Sequence, residues 1–347
     1  MGRMAILRDR MTRLKRLSPV RMRNAWRLWQ SHQRAQRTPP RHGLLMPAGT
    51  MPMSLSIEPT TSCNLRCPEC PSGLRSFTRN TGHTDVHNAS AWIHDMAEYL
   101  VYCNLYFQGE PLLHPQLEGL IDACHGHGIY ASTSTNAHHL TAKRAQSLVE
   151  AGLNRLIVSI DGATQESYAS YRIGGCLDRV LEGTGHILEA SRSARRGTHV
   201  VWQFLVVKPN EHEIPKIQRL AREMGVHELV IKTAQLDTPR DGHPLLASHR
   251  EHRRYDRDKV SGKWVLRNPL NDECWRMWQG AVATWDGNVV PCCFDKDASH
   301  VMGNLNKESM KSIWHTPAYE DFRRQVTSNR RGIAMCTNCS EGSHVYA

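Results

Sequence analysis

Cys63, Cys67 and Cys70 stand at C-x3-C-x2-C, directly after a strand-like run at residues 53–58. Three thiolates in one short loop can anchor three corners of an iron–sulfur cube. A fourth would close the cube and leave an electron carrier. Three leave one iron open to a small molecule, which makes the cube a reaction centre. Structural zinc is the competing use. Zinc loops normally pair C-x2-C with a second such pair or with two histidines, and three unequally spaced ligands suit that metal poorly.

Far downstream stand Cys274, Cys292, and Cys336-x2-Cys339. Four cysteines complete a cube, and they would also serve zinc. Cys103, Cys124 and Cys176 are isolated and read as small buried hydrophobes. The twenty histidines are scattered, and His125, His127, His138 and His139 fall at helix ends.

Elements that could position these groups alternate along the chain after a Pro39-Pro40 break. Strand-like runs lie at 53–58, 101–107, 129–133, 155–160, 200–207 and 228–231, with helical patterns near 89–100, 116–127, 142–151, 177–194 and 214–224. Six strands with five intervening helices predict an α/β fold with a parallel sheet and right-handed crossovers. A barrel or partial barrel would place its site at the C-terminal strand ends.

In that frame Gly109-Glu110-Pro111 ends the second strand, where glycine lets the backbone approach a ligand. Ser134-Thr135-Asn136 closes the third strand, and Ser159-Ile160-Asp161-Gly162 the fourth; helix capping is the alternative use of such residues. Lys232, Gln235 and Asp237 follow the sixth strand. Lys232 and Asp237 are the candidate catalytic groups, able by position to bind or deprotonate substrate.

Residues 237–271 are polar and read as a connection. Beyond Cys274, Asp286-Gly287 between β-prone runs predicts a hairpin, and a helix is expected at about 307–327. The expected organisation is a basic arm at 1–50, a core at 51–245, a linker at 246–270 and an auxiliary domain at 271–347.

The net charge of +11 is concentrated in that arm: residues 1–41 hold twelve Lys/Arg against one Asp, and the rest of the 347-residue chain is balanced. Met4, Leu7, Met11 and Leu14 recur at helical spacing. A second helix starts at Ser18-Pro19 with Met22, Ala25, Trp26 and Trp29 on one face. Such helices could lie on an anionic membrane, or pack their apolar stripe on the body and leave the arginines solvated. There is no recognised nucleic-acid-binding module, and nucleic acid is not expected as a partner. Eleven cysteines without an apolar signal region predict a reducing, cytoplasmic setting, with membrane-surface association through residues 1–41 left open. No apolar run approaches the ~18 residues of a spanning helix.

Glu-Pro-Thr-Thr-Ser-Cys-Asn-Leu-Arg-Cys-Pro-Glu-Cys-Pro resembles the radical S-adenosylmethionine (SAM) superfamily. The resemblance implies a partial (β/α)6 barrel and a [4Fe–4S] cluster on Cys63, Cys67 and Cys70. Its open iron would chelate SAM, whose reductive cleavage yields a 5′-deoxyadenosyl radical that abstracts hydrogen from a substrate. Gly109-Glu110 resembles the family's Gly-Gly-Glu motif, with Gln108 where the first glycine often stands. Ser134, Asn136, Ser159, Asp161 and Arg172 match segments that line the SAM site, and Arg172 resembles an arginine that pairs with the SAM carboxylate. Glu69 departs from the pattern, because an aromatic residue often precedes the third cysteine. Adenine contacts would then come from the region of Tyr106 and Phe107 or from a later backbone segment.

Cys274-x12-Gly287-x4-Cys292 with Cys336 and Cys339 resembles the SPASM/twitch extension of that superfamily. It implies a second [4Fe–4S] cluster, on Cys274, Cys292, Cys336 and Cys339, with Cys293 as a neighbour. The resemblance implies dehydrogenation of a small or glycosyl molecule, with a reductase or flavodoxin-type electron donor, and the basic arm adds a lipid-linked substrate met at the membrane as a variant. The alternatives are a peptide or protein maturase and a non-enzymatic iron–sulfur or zinc protein.

Overall fold

Apolar residues at every second position in short runs, and at every third or fourth between them, fold here as β/α units. The computed structural model describes residues 2–37, 45–267 and 269–339, and the Pro39-Pro40 break lies outside them. Two helices come first, α1 (Gly2–Leu14) and α2 (Pro19–Arg37). The central units are β1 (Ser54–Ile57), α3 (Pro71–Leu74), α4 (Val86–Asp95), β2 (Tyr102–Asn104), α5 (Leu117–Gly126), β3 (Tyr130–Thr135), α6 (Ala142–Glu150), β4 (Arg155–Ser159), α7 (Gln165–Tyr171), α8 (Leu177–Ser193), β5 (His199–Val206), α9 (Ile214–Met224) and β6 (Glu228–Thr233). An antiparallel pair, β7 (Tyr255–Arg257) and β8 (Trp264–Leu266), precedes α10 (Arg276–Gln279), β9 (Gly280–Ala283), β10 (Asn288–Val290), β11 (Gly303–Asn304), α11 (Met310–Trp314) and α12 (Pro317–Asn329).

One sheet runs in the order β11-β10-β9-β1-β2-β3-β4-β5-β6, and β1 to β6 are parallel throughout. β1 and β6 are not neighbours, so the six strands form a partial (β/α)6 barrel. Register divides its two faces. Leu55, Cys103 and Ala131 align on one, as do Val158 and Trp202, and all are fully buried in the core shared with the helices. Each large apolar side chain sequestered this way contributes roughly 1.5–3 kcal/mol. Ser56, Asn104, Ser132 and Arg155 align on the other face, so the barrel interior is polar.

The C-terminal hairpin joins the same sheet. β9 lies parallel to β1, with Ser54 opposite Gly280 and Ile57 opposite Ala283, and β10 returns antiparallel. At the turn Gly287 has φ +84°, and a side chain there would press on Asn306 and Trp92. The helix expected at 307–327 is instead two, α11 and α12. Pro317 lacks an N–H and holds the preceding residue out of helical geometry, so Thr316 is extended and its hydroxyl caps α12 by accepting from Tyr319 N.

The arm docks through Leu28 and Ala35, which join the core, and through polar side chains. Asp9 accepts from the Tyr130 hydroxyl and pairs with Arg155 at 3.1 Å, below the N-terminal ends of β3 and β4. Arg21 donates to the carbonyls of Arg16, Ala97, His127 and Gly128. Asn24 exchanges two hydrogen bonds with the Met51 backbone, and Trp278 Nε1 donates to Ser31 Oγ. The apolar stripe therefore does not pack on the body as one sequence reading allowed: Met4, Leu7, Met11, Leu14, Met22, Trp26 and Trp29 are exposed. Among the described residues no helix is long and apolar enough to cross a membrane.

Glu320 on α12 anchors the chain entering β1. Its buried carboxylate accepts from Leu45 N at 2.7 Å and Met46 N at 3.1 Å, and pairs with fully buried Arg323 at 3.2 Å. Glu320→Ala would leave that guanidinium uncompensated and is expected to cost about 3–5 kcal/mol. A denaturant midpoint equal to the parent's would contradict this account of the anchor.

Candidate active site and metal centres

Between the C-terminal end of β1 and α3, one loop carries Cys63, Cys67 and Cys70; Cys67 is buried and the other two are half-buried. Arg66 N donates to Ile173 O at 3.0 Å, Glu110 N to Ser62 O at 2.8 Å, and Gly109 N to Ser72 Oγ at 2.8 Å. Gly73 packs so closely that a Cβ would sit 2.5 Å from Cys67 N. Gly109 has φ +73°, and its missing side chain makes room for the Thr60 and Ser62 carbonyls.

Two donors point at the thiols: Leu65 N at Cys63 Sγ (3.5 Å) and Arg172 Nη1 at Cys67 Sγ (3.6 Å). Burial pushes the Cys63 thiol up to about 11 and raises Cys67 as well. A metal must therefore displace protons here, as thiolate ligation requires. Soft sulfur donors on a pinned loop, with N–H groups aimed at them, fit an iron–sulfur cluster.

The strand-end residues divide by what they touch. The fully buried Glu110 carboxylate accepts from Leu112 N, Thr135 Oγ1 (2.6 Å) and Asn136 N (2.7 Å), buckling the end of β2 to that of β3. Burial raises it, against those donors. Asn136 Nδ2 donates to Asn64 Oδ1 between the first two cysteines. Asp161 accepts from Leu205 N at 2.6 Å and from Arg172 Nε at 2.5 Å. It thereby aims Arg172 at the cysteine loop.

Register puts Ser134 on the face of Ile157, Ser159 and Gln203, and Lys232 on that of Leu205. These are interior positions near the open strand ends. Lys232 and Asp237 are exposed. Glu69 accepts from Asp237 N at 2.9 Å and lies 3.5 Å from His243 Nε2, tying the cysteine loop to the segment after β6.

Cys274, Cys292, Cys336 and Cys339 line one cavity of about 300 Å3 with Met277, Phe294 and Phe322. All four are buried. Arg330 Nη2 donates to Cys339 Sγ at 3.4 Å while Nη1 donates to Glu273 O at 2.6 Å. Phe294 N points at Cys292 Sγ at 3.4 Å. Thiols spread around an apolar cavity, with donors fixed by backbone, suit a cluster. Cys293 faces away, into a polar crevice with Ser56, Tyr102, Asn104 and Arg276. Cys292→Ser is expected to remove about half the iron of the reconstituted protein, and Cys293→Ser to leave it unchanged. Equal iron loss in both would contradict this division.

Sequence reasoning missed Asn64, Ser72, Gly73, Asn210 and Arg330. Asn210 Nδ2 donates to the Asp161 carbonyl at 2.9 Å, supporting the residue that orients Arg172. Ser72 and Gly73 directly follow the cysteine motif, a position that could have marked them. Arg330 is joined to its site only by folding.

A partial barrel with a three-cysteine loop at its strand ends and a four-cysteine cavity beside β9 defines an iron–sulfur enzyme of the β/α-barrel class. The family model for the Radical SAM superfamily matches residues 57–221, and that for SPASM, an iron–sulfur cluster-binding domain, matches 274–340. The chain belongs to the radical SAM superfamily and carries a SPASM-type C-terminal domain. It is an enzyme whose cofactors are two [4Fe–4S] clusters and SAM.

Among curated relatives, the S-adenosyl-L-methionine-dependent 2-deoxy-scyllo-inosamine dehydrogenase of Niallia circulans is 22% identical over 294 residues, 83% of this chain and 93% of that one. A PqqA peptide cyclase of Gluconobacter oxydans is 30% identical over 186 residues, covering 53% of this chain and 50% of the relative. Among solved structures, Streptococcus suis SuiB bound to S-adenosylmethionine superposes with a TM-score of 0.61 at 13% identity, covering 85% of this chain and 73% of SuiB.

Proposed function

We propose that this radical SAM enzyme oxidises a secondary alcohol of a small polyhydroxylated or glycosyl molecule, free or lipid-linked, to a ketone. One observation carries the reading. A crevice between the barrel's polar face and the auxiliary unit is lined by Ser54, Ser56, Tyr102, Asn104, Arg276, Cys292 and Cys293. A polar molecule against this face would thus have Cys292, one of the four auxiliary cysteines, in the same wall. The dehydrogenase relative aligned over nearly its whole length supports the reaction class.

When bound, SAM and its cluster supply a hydrogen-atom acceptor, and the auxiliary cluster an electron acceptor. The substrate carbon loses a hydrogen atom, its hydroxyl a proton and the resulting radical one electron, which together make the ketone. The proton goes to the chain: we assign it to the Asp237 carboxylate beyond β6, with the Lys232 ammonium at the end of β6 binding the substrate oxygen. Cys63, Cys67 and Cys70 hold the SAM cluster in this reading; Cys274, Cys292, Cys336 and Cys339 hold the auxiliary one. Gly109, Glu110, Ser134, Asn136, Ser159, Asp161 and Arg172 shape the SAM pocket. A flavodoxin or reductase-type donor supplies the priming electron.

Lys232→Met with Asp237→Asn is expected to keep SAM cleavage and lower ketone yield by about a hundredfold, read by mass spectrometry with candidate polyols. Peptide modification is the rival, since the peptide cyclase relative shares about half its own length with this chain. A mass change on a peptide substrate, with no ketone from any small alcohol, would replace this reading by that one.

A further inference from the structure

α1 and α2 meet the barrel through polar residues and through Leu28 and Ala35, and turn most of their large apolar side chains outward. Asp9, Arg21, Asn24 and Ser31 are buried in the docking contacts, whereas Met4 is 80% exposed, Leu14 63% and Trp26 56%. Of thirteen exposed large apolar side chains among the described residues, eight lie on α1 and α2. They form ordered stripes. Met4, Leu7, Met11 and Leu14 share one face of α1; Met22, Trp26 and Trp29 share one face of α2, where the two indoles stack at 4.9 Å. A helix that stabilises itself on its own protein buries such a face.

Charge identifies what would cover it. Arg8 and Lys15 follow Met4 and Met11 by four residues, and Arg10 follows Leu7 by three, so exposed bases flank the α1 stripe on both sides. Arg23 and Arg34 are exposed on α2. The single acid of the arm, Asp9, is turned inward and already paired. Met, Leu and Trp between cations, with no outward carboxylate, complement a surface that is apolar below and anionic above.

We propose that the outward face of α1 and α2 is a peripheral docking surface for an anionic phospholipid bilayer. Its Met, Leu and Trp side chains enter the headgroup–acyl boundary, and its Arg and Lys side chains meet lipid phosphates. The enzyme would then work at the membrane while its barrel stays in water. The proposal concerns the arm alone, so its failure leaves the oxidation reading standing.

The test uses the full reconstituted chain and sedimentation with vesicles of phosphatidylcholine, alone or mixed with phosphatidylglycerol. The parent protein is expected to sediment with the mixed vesicles, much less with phosphatidylcholine alone, and to be released by salt. Trp26→Ser with Trp29→Ser should weaken binding by about tenfold or more at unchanged iron content and circular dichroism. A second variant, Met4→Ser with Met11→Ser, should do the same if α2 tolerates change poorly. Absence of parent binding, or equal binding by parent and both variants, overturns the proposal. So does a concentration-dependent dimer, seen by ultracentrifugation, that these variants abolish while vesicle binding is unaffected.

Discussion

Replacing any one of Cys63, Cys67 or Cys70 by alanine lowers 5′-deoxyadenosine formation by about a thousandfold or more. Three protein thiolates are the minimum for a cube that keeps one iron open. The loop offers no substitute: Cys103 and Cys124 are buried against each other outside it, and Cys176 precedes α8. Their loss differs in kind from loss of an auxiliary cysteine. Cys336→Ala should spare SAM cleavage and suppress the oxidised product, because the first electron transfer does not need the second cluster. High-performance chromatography of deoxyadenosine alongside the substrate product reads both at once. Equal loss of cleavage in the two classes would break the division of labour between the clusters.

Asp161→Asn is expected to cut SAM cleavage by about a hundredfold and to lower stability by about 3–5 kcal/mol. Asp161 is fully buried, pairs with Arg172, accepts from Leu205 N, and offers its own carbonyl to Asn210. Asparagine keeps the shape but removes the charge that offsets a buried guanidinium. Burial would lower the Arg172 proton affinity; Asp161 and Cys67 more than offset it and hold it above its ordinary value. The variant therefore leaves Arg172 with too little negative charge, and the cation is free to move off Cys67. Arg172→Lys provides the control, since a point charge cannot keep both contacts of a planar fork. If Asp161→Asn cleaves SAM at the parent's rate with the parent's KM, Arg172 has no part in the SAM pocket.

The chemistry was legible because it is local. Cysteines three and four residues apart must meet whatever the fold, and a strand-like run before them fixes where the loop starts. The alternation of β1 to β6 with helices was legible for the same reason, with strand ends within a few residues of those expected. α7 was not: seven residues leave periodicity too little length, although Thr164 and Ser167 cap one another. Nor was the use of Glu110, whose carboxylate is consumed by Thr135 and Asn136, partners set by strand pairing. The joining of β9 to β1 depends on an interaction across more than two hundred residues. The arm shows the limit most clearly. Its stripes were visible in the sequence, but which face the body would hold depended on partners set by folding, such as the Ala97 and His127 carbonyls for Arg21 and the Met51 backbone for Asn24.

The central claim is that one cluster, and one only, has an iron open to SAM. Mössbauer spectroscopy of the anaerobically reconstituted full chain, with and without SAM, tests it most directly. The account predicts two [4Fe–4S] signals, with SAM shifting a single iron of one and leaving the other untouched. A spectrum that SAM does not change would contradict it.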